Sequence, residues 1–374
     1  MAKPTLFMIL TPEAAGNCVL DPRDPTGGAR GGGSKAGFMG LVRAMGRLGK
    51  YDVKAFSTFR DRKTTVDCVD YIRITETGQY AAPDVAFAYY DVRPLMGNGA
   101  RLRIASHHTL LPFHAWPWGD VHTAPCDWAT EYLQRTHYPH GEWRTLPNAI
   151  EGLDGVEWKP EPGRVLYHTS PDRGLHLLLS AWPEIRRRVP NAVLHVVGEP
   201  HETITMGDHA ALAGGYFWQR AQELKYGLEV AAKAGGFKLL GRMPRKTLLS
   251  ELSQAACVAL PFELSSPCET FSITVLESLA IGIPVVLSPA DALESIYNGS
   301  GVCLVQSPAR DYMGSFVQAV AKMITDSSAA QRASERGREF AKAYTFDAAA
   351  HVLDGIIEDG LARSRRLAPK PEAA

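Results

Sequence analysis

The feature that most constrains this chain is an alternation running along nearly its whole length, in which short continuous apolar runs are separated by longer segments of helical periodicity. In the second half each run is continuous rather than alternating, so those expected strands are buried on both faces. Strands that alternate with helical segments are the pattern of a parallel sheet wound by crossover helices, which makes the chain α/β. In the first half the expected strands are residues 6–10, 52–56, 85–89, 102–106 and 120–123, with the clearest helix at 36–48. A second series follows at 164–168, 192–197, 237–240, 257–261 and 284–287, and two helical segments, 329–342 and 346–361, close the chain. Between the two series lies PNAIEGLDGVEWKPEPG, whose Pro, Gly and Glu content marks a boundary. The expected domains are therefore residues 1–150 and 151–345, with 346–374 a C-terminal helix and tail, the helix packing back on the first domain.

Composition narrows the function classes. With 374 residues, 45% hydrophobic and 21% charged, the chain can bury two sizeable cores and is not a disordered protein. Its 40 basic residues balance 40 acidic ones, which excludes the broad positive field of non-specific nucleic-acid binding. The six cysteines form no C-x-x-C pair, so neither a disulfide framework nor a zinc ribbon is indicated, and a reducing cytoplasm fits them. The first apolar stretch is too short for a signal peptide, and no run reaches the roughly 18 residues of a membrane span. A cytoplasmic protein is expected; peripheral attachment at the inner face of a membrane stays compatible with this, and the oligomeric state is left open.

The most informative stretch is PFELSSPCETFSITVLESLAIGIPVVLSP, residues 261–289, which reads as strand end, polar loop, helix at 270–280 and next strand, with Gly282 stopping the helix. Glu269 and Glu277 stand eight positions apart, which on one helix spans roughly 12 Å. Two carboxylates flanking a single glycosidic bond sit roughly 5–9.5 Å apart, so the spacing suits one elongated ligand touched at two places. A helix N-terminus favours an anion, which makes the turn Glu269 to Ser272 a natural phosphate seat. Sugar, diphosphate, ribose and base in a row have the required length.

On these residues the chain resembles the retaining GT-B glycosyltransferases, specifically family 4 with its E-x7-E motif. E-T-F-S-I-T-V-L-E followed by S-L-A-I-G-I-P-V-V is similar to that motif. LPNAI resembles the P-N-G-[IV] element at the family's domain junction, SPDRGLHLLLSAWPEIRRRVPNAVLHVVG a basic residue before Gly and its helix, and FKLLGRM the following strand step. The resemblance implies two Rossmann-like domains facing a central cleft, the first binding the acceptor and the second the nucleotide sugar. It implies that Glu269 contacts the transferred sugar, that Thr270, Phe271 and Ser272 offer amides to the diphosphate, and that Glu277 holds the ribose. Arg173 takes the role of the basic residue that neutralises the leaving diphosphate, with Ser170 and His168 beside it, and backbone atoms of Gly241, Arg242 and Met243 meet the base. The chain departs from the family where a second basic residue is replaced by His168, where Ser272 replaces a common Gly, and where Ala149 replaces the Gly of P-N-G.

RIASHHTLLPFHAWPWGDVH gathers His107, His108, His114 and His122, but it lacks the i, i+4 pair and nearby carboxylate of a helical zinc site, and no D-x-D occurs, so no metal is expected. In the resembled family a histidine after an N-domain strand approaches the donor sugar; His108 fits the H-[DN]-x-x-P spacing best and His107 is the alternative. GGARGGGSKAG precedes a helix and reads either as a flexible loop capped by Ser34 or as a phosphate or acceptor loop through Gly31, Gly32, Gly33 and Ser34. Trp116, Trp118, Trp128, Tyr132 and Trp143 suit a stacking surface for an acceptor glycan, or simply the core.

The expected activity is thus hexosyl transfer of EC class 2.4, retaining and metal-independent, with no cofactor beyond the nucleotide-sugar donor and with a glycan, lipid-linked or small-molecule acceptor. A non-catalytic nucleotide-sugar or glycan-binding protein of the same fold is the alternative. A nicotinamide or flavin oxidoreductase rests on glycine content alone.

Overall fold

A computed structural model describes residues 2–16, 18–24, 33–110, 118–151, 153, 155–209, 215–264, 269–305 and 311–367. The chain divides into two compact units, Met1–Gly152 with Tyr344–Ala374, and Leu153–Ala343.

In chain order the first unit carries β1 (Thr5–Ile9), α1 (Gly33–Leu48), β2 (Asp52–Ser57), β3 (Lys63–Val66), β4 (Val69–Arg73), β5 (Val85–Tyr89), β6 (Leu102–Ser106), β7 (Val121–Ala124), α2 (Asp127–Thr136) and β8 (Trp143–Thr145). The second carries β9 (Arg164–Tyr167), α3 (Leu175–Arg188), β10 (Val193–Val197), α4 (Pro200–His209), α5 (Tyr216–Ala234), β11 (Phe237–Gly241), α6 (Arg245–Ser253), β12 (Cys257–Leu260), α7 (Ile273–Ile281), β13 (Val285–Leu287), α8 (Ala292–Tyr297), β14 (Cys303–Leu304), α9 (Tyr312–Thr325) and α10 (Ser327–Ala341). α11 (Phe346–Leu367) ends the described chain and belongs to the first unit.

The first sheet runs β3-β4-β2-β1-β5-β6-β7-β8 and is parallel apart from β3, which pairs antiparallel with β4. Asp67 and Cys68 form the two-residue turn of that hairpin, both with positive φ, as the twist of a tight hairpin demands. The core lies between the sheet and the helices: Leu6, Met8, Phe38, Val42, Val53 and Phe87 are fully buried. α11 supplies Ala350, Leu353 and Ile357 to this same core. Close approach is built into the glycines of the packing, because a Cβ on Gly40 would overlap the Phe346 ring. Polar contacts fix the register of the helix: Tyr51 donates its hydroxyl to Asp354 at 2.7 Å, and Lys50 bonds the same carboxylate at 2.5 Å. The C-terminal helix is therefore an integral layer of the first unit.

The second sheet runs β11-β10-β9-β12-β13-β14 and all its pairings are parallel. Numbered within the unit this is the order 3-2-1-4-5-6 of a doubly wound dinucleotide-type fold. Val165, Leu166, Val258, Ala259, Val285 and Val286 are fully buried, as strands covered on both faces must be.

Candidate functional site

Strand order fixes where a ligand can sit in the second unit. The chain winds one way from β9 to β10 and β11 and the other way from β12 to β14, so the carboxyl ends of β9 and β12 form the switch point, the place where open α/β sheets bind ligands in a crevice. The residues leaving these two strands are His168 to Gly174 and Pro261 onward to Glu269 and Ser272. Pro171–Arg173 forms a short 3-10 turn that Gly174 ends at φ 115°, and a Cβ there would overlap the Pro261 carbonyl. Glycine is thus required for the two loops to touch.

Glu269 organises the loop before α7. Its Oε1 accepts the backbone N–H groups of Thr270 at 3.0 Å, Phe271 at 3.1 Å and Ser272 at 3.0 Å, and its Oε2 pairs with the Arg173 guanidinium. The Glu269 N–H is in turn held by Asp291 Oδ2 at 3.0 Å. These contacts correct two expectations. The helix starts at Ile273 rather than at 270, because the preceding amides are turned onto the Glu269 carboxylate and Ser272, at φ 66°, breaks helical geometry. The anion at that turn is Glu269's own carboxylate, so the amides of Thr270, Phe271 and Ser272 are engaged rather than open to a phosphate. Glu269 and Glu277 accordingly do not share a helix, since only Glu277 lies in α7.

Farther along α7, Glu277 pairs with Arg245 at 2.6 Å, both largely buried. Arg245 opens α6, where a cation faces the positive end of the helix dipole and needs an anionic partner. His168 stands beside Arg245 and the Thr274 backbone, and both of its ring nitrogens are buried with no well-formed hydrogen bond, Thr274 offering at most a weak one. Burial, reinforced by the Arg245 charge, lowers its pKa to about 3, so this imidazole is neutral at physiological pH.

A second buried cation ties the same loops together. Arg220 on α5 bonds Glu263, in the loop after β12, at 2.7 Å and lies 5.0 Å from the Tyr216 ring centre. Tyr216 donates its hydroxyl to the Asp172 carbonyl at 3.2 Å, one residue before Arg173. His176, near the start of α3, completes the cluster with Glu263 at 3.5 Å.

Comparison with known proteins agrees with this geometry. Residues 165–340 match the family model of glycosyl transferases group 1. That stretch lies within the second unit. A curated relative, glycogen synthase from Mycobacterium tuberculosis, is 28% identical over 198 residues, 50% of this chain and 42% of the relative, so the match spans less than half of that protein. Among solved structures, a sucrose-phosphate synthase from Thermosynechococcus elongatus superposes with a TM-score of 0.69 at 16% identity, covering 96% of this chain and 100% of that one. An Anabaena protein, HepE, in complex with UDP and glucose gives 0.65 at 12% identity over 95% and 100% of the two chains. Trehalose 6-phosphate synthase from Burkholderia multivorans gives 0.65 at 11% identity over 97% and 100%. These likenesses establish the GT-B fold.

Within the second unit, Ser170 bonds Asp172 and stays exposed. Gly241 ends β11 at φ 68°, and the Arg242 N–H donates to Glu199 at 3.2 Å. Arg242 and Met243 form the step into α6 that brings Arg245 to Glu277. Arg245, Asp291 and Arg220 are site residues that sequence reasoning missed. Only Arg245 carried a signal, a basic residue just after Pro244 at a helix start.

In the first unit the adjacent histidines part company. His107 Nε2 meets His122 Nδ1 at 3.0 Å, and its ring packs against His122 and Trp143 in the interior. His108 instead meets Ser106 Oγ at 3.0 Å, packs on Tyr89 with ring centres 4.0 Å apart, and lines a small recess with Gly37, Pro147 and Phe346. Burial lowers both pKa values to about 3. Trp143 and His122 thus serve the core, while Trp128 stacks on Tyr132. Gly33 and Ser34 begin α1, and Gly31, Gly32, His114 and Trp116 lie outside the described residues. Among the described residues no group of three or more His, Cys, Asp or Glu is placed to hold a metal, and no helix is long and apolar enough to cross a membrane.

Proposed function

We propose that this chain is a retaining hexosyltransferase of family 4 that moves a sugar from a nucleoside-diphosphate sugar to an acceptor hydroxyl without a metal ion. The observation that carries the reading is the Arg173–Glu269 pair at the switch point of a group 1 glycosyltransferase domain, with Glu277 farther along α7.

A diphosphate entering this crevice competes with Glu269 for Arg173. Exchange of partners places the guanidinium on the leaving group and releases Glu269 Oε2 for the sugar's hydroxyls, while Glu277 accepts from the ribose. In the transfer step the bond between the anomeric carbon and the phosphate oxygen breaks with its electron pair on the diphosphate. The acceptor oxygen bonds the same face of that carbon and gives its proton to the departing diphosphate. Arg173 stabilises charge that grows as the bond breaks, the kind of contact that lowers a barrier rather than merely binding substrate. His108, rather than the core-facing His107, is the first-unit histidine assigned to the sugar. Relatives named as glycogen, sucrose-phosphate and trehalose 6-phosphate synthases favour a saccharide acceptor.

The test is release of nucleoside diphosphate from a panel of UDP-, GDP- and ADP-sugars by the purified protein and by Arg173→Ala. Turnover of one donor, reduced roughly 100- to 1,000-fold in the variant, is expected; near wild-type turnover by Arg173→Ala refutes the assignment. A second reading, a nucleotide-sugar-binding protein without turnover, draws on the neutral His168 and the full engagement of Glu269. Saturable donor binding with no nucleoside diphosphate released would select it.

A further inference from the structure

The proposed donor site raises a charge problem that the motif residues do not solve. A nucleoside diphosphate leaves with more than one negative charge, and Arg173, even once it exchanges Glu269 for the diphosphate, supplies only one positive charge. His168, which directly follows β9 at the switch point, is neutral and contributes at most one N–H donor. Both of its ring nitrogens are nevertheless buried without a well-formed hydrogen bond, the Thr274 backbone giving at most a weak one, a state that native proteins rarely tolerate unless a ligand or water completes it. A cation whose charge acts on this ring is Arg245, brought there from α6 and held by Glu277 through Nη2. A guanidinium has five donors, so the bond to Glu277 leaves others for an anion.

Resting on the donor reading above, we infer that Arg245 is a donor-binding residue that supplies the second positive charge on the diphosphate, with His168 adding a neutral hydrogen bond to the same phosphate oxygens. Charge and hydrogen bond, combined in one residue at a simpler site, are divided between two side chains from different strands and helices. Arg245 also touches the carboxylate assigned to the ribose, so one side chain spans the junction between ribose and phosphate. The pair with Glu277 fixes the guanidinium before the donor arrives, which limits the ordering cost of binding.

The full-length protein is titrated calorimetrically with UDP, GDP and ADP and with the corresponding nucleosides, as wild type, Arg245→Met and Arg245→Lys. The expected result is that the preferred diphosphate loses roughly 10- to 100-fold in affinity with Arg245→Met, that nucleoside affinity changes less than about twofold, and that Arg245→Lys recovers most of the loss. Equal losses for nucleoside and diphosphate would overturn the inference, because Arg245 would then act only through Glu277, and so would an unchanged diphosphate affinity. Either pattern leaves the donor reading standing, whereas a wild-type protein that binds none of the three diphosphates removes both.

Discussion

Glu269 is proposed to touch the transferred sugar, yet its first duty in the folded chain is to the backbone, and the two duties separate by substitution. In Glu269→Ala the amides of Thr270, Phe271 and Ser272, all three residues buried, lose their shared acceptor. An unsatisfied buried N–H costs about 1–3 kcal/mol, and the space vacated by the carboxylate admits water, so the low end applies: about 3 kcal/mol in total. In Glu269→Gln the amide oxygen still accepts all three bonds, and only the contact with Arg173 is replaced by two facing donors. Arg173 is 30% exposed and can turn to solvent, which limits that cost to about 1 kcal/mol. For a unit of this size about 1 kcal/mol moves Tm by about 2–4 °C, so alanine should lower the melting of the Leu153–Ala343 unit by about 6–12 °C and glutamine by about 2–4 °C. Calorimetry of the full chain resolves the two units if they melt separately, and turnover is measured on the same samples. Both variants are expected to lose transfer, so only glutamine reports on chemistry in a largely intact loop. Melting temperatures for the two variants within about 2 °C of each other would refute the clamp.

Acid should destabilise both units. Burial holds His107 and His108 at about 3 and His122 at about 4 in the first unit, and His168 at about 3 and His176 at about 4 in the second. The unfolded chain takes up these protons below about 6.5 while the folded chain resists, so stability is complete above that pH and is lost as pH falls towards 4; a Tm unchanged between pH 7 and 4.5 contradicts this. Gly174→Ala, at φ 115° and against the Pro261 carbonyl, should cost roughly 1–3 kcal/mol and weaken nucleoside diphosphate binding by parting the Arg173 and Glu269 loops; wild-type affinity in that variant would show that the loops need not touch. Ile357→Ala, in the fully buried face of α11, should cost about 2–5 kcal/mol and lower the melting of the first unit alone. A shift confined to the other transition would place the helix wrongly.

Much of the fold was legible because its signals are local. Residues 85–89 and 102–106 announce β5 and β6 as largely apolar runs that need no partner to be recognised. Of the strands that escaped, β8 and β14 have only three and two residues, β3 lies at a sheet edge where Lys63, Thr64 and Thr65 are tolerated, and β4 carries Asp70 and Arg73 among its apolar residues. Helix α7 was placed three residues early for a different reason: the competing force was a side chain. No propensity of Thr270 or Phe271 records that Glu269 will take their N–H groups.

The site divides along the same line. Glu269, Glu277 and Arg173 stand in recognisable runs, but what each of them does in the folded chain is set by a residue remote in sequence. Arg173 meets Glu269 across 96 positions, and Arg220 meets Glu263 across 43. Arg245 reaches Glu277 from a different helix, and its position at the start of α6 is unfavourable taken alone. Such a residue looks like a defect in the sequence until its partner is known, since a cation at a helix N-terminus works against the dipole. The structure turns that defect into information. A charge kept where the local field opposes it is held by something stronger, and around α7 the carboxylates that hold the two arginines are the same two assigned to the sugar and the ribose. On the proposed reading, binding of a donor at this site is an exchange of partners between fixed charges rather than the filling of a positive pocket, and a chain of zero net charge can then carry a site for a polyanion.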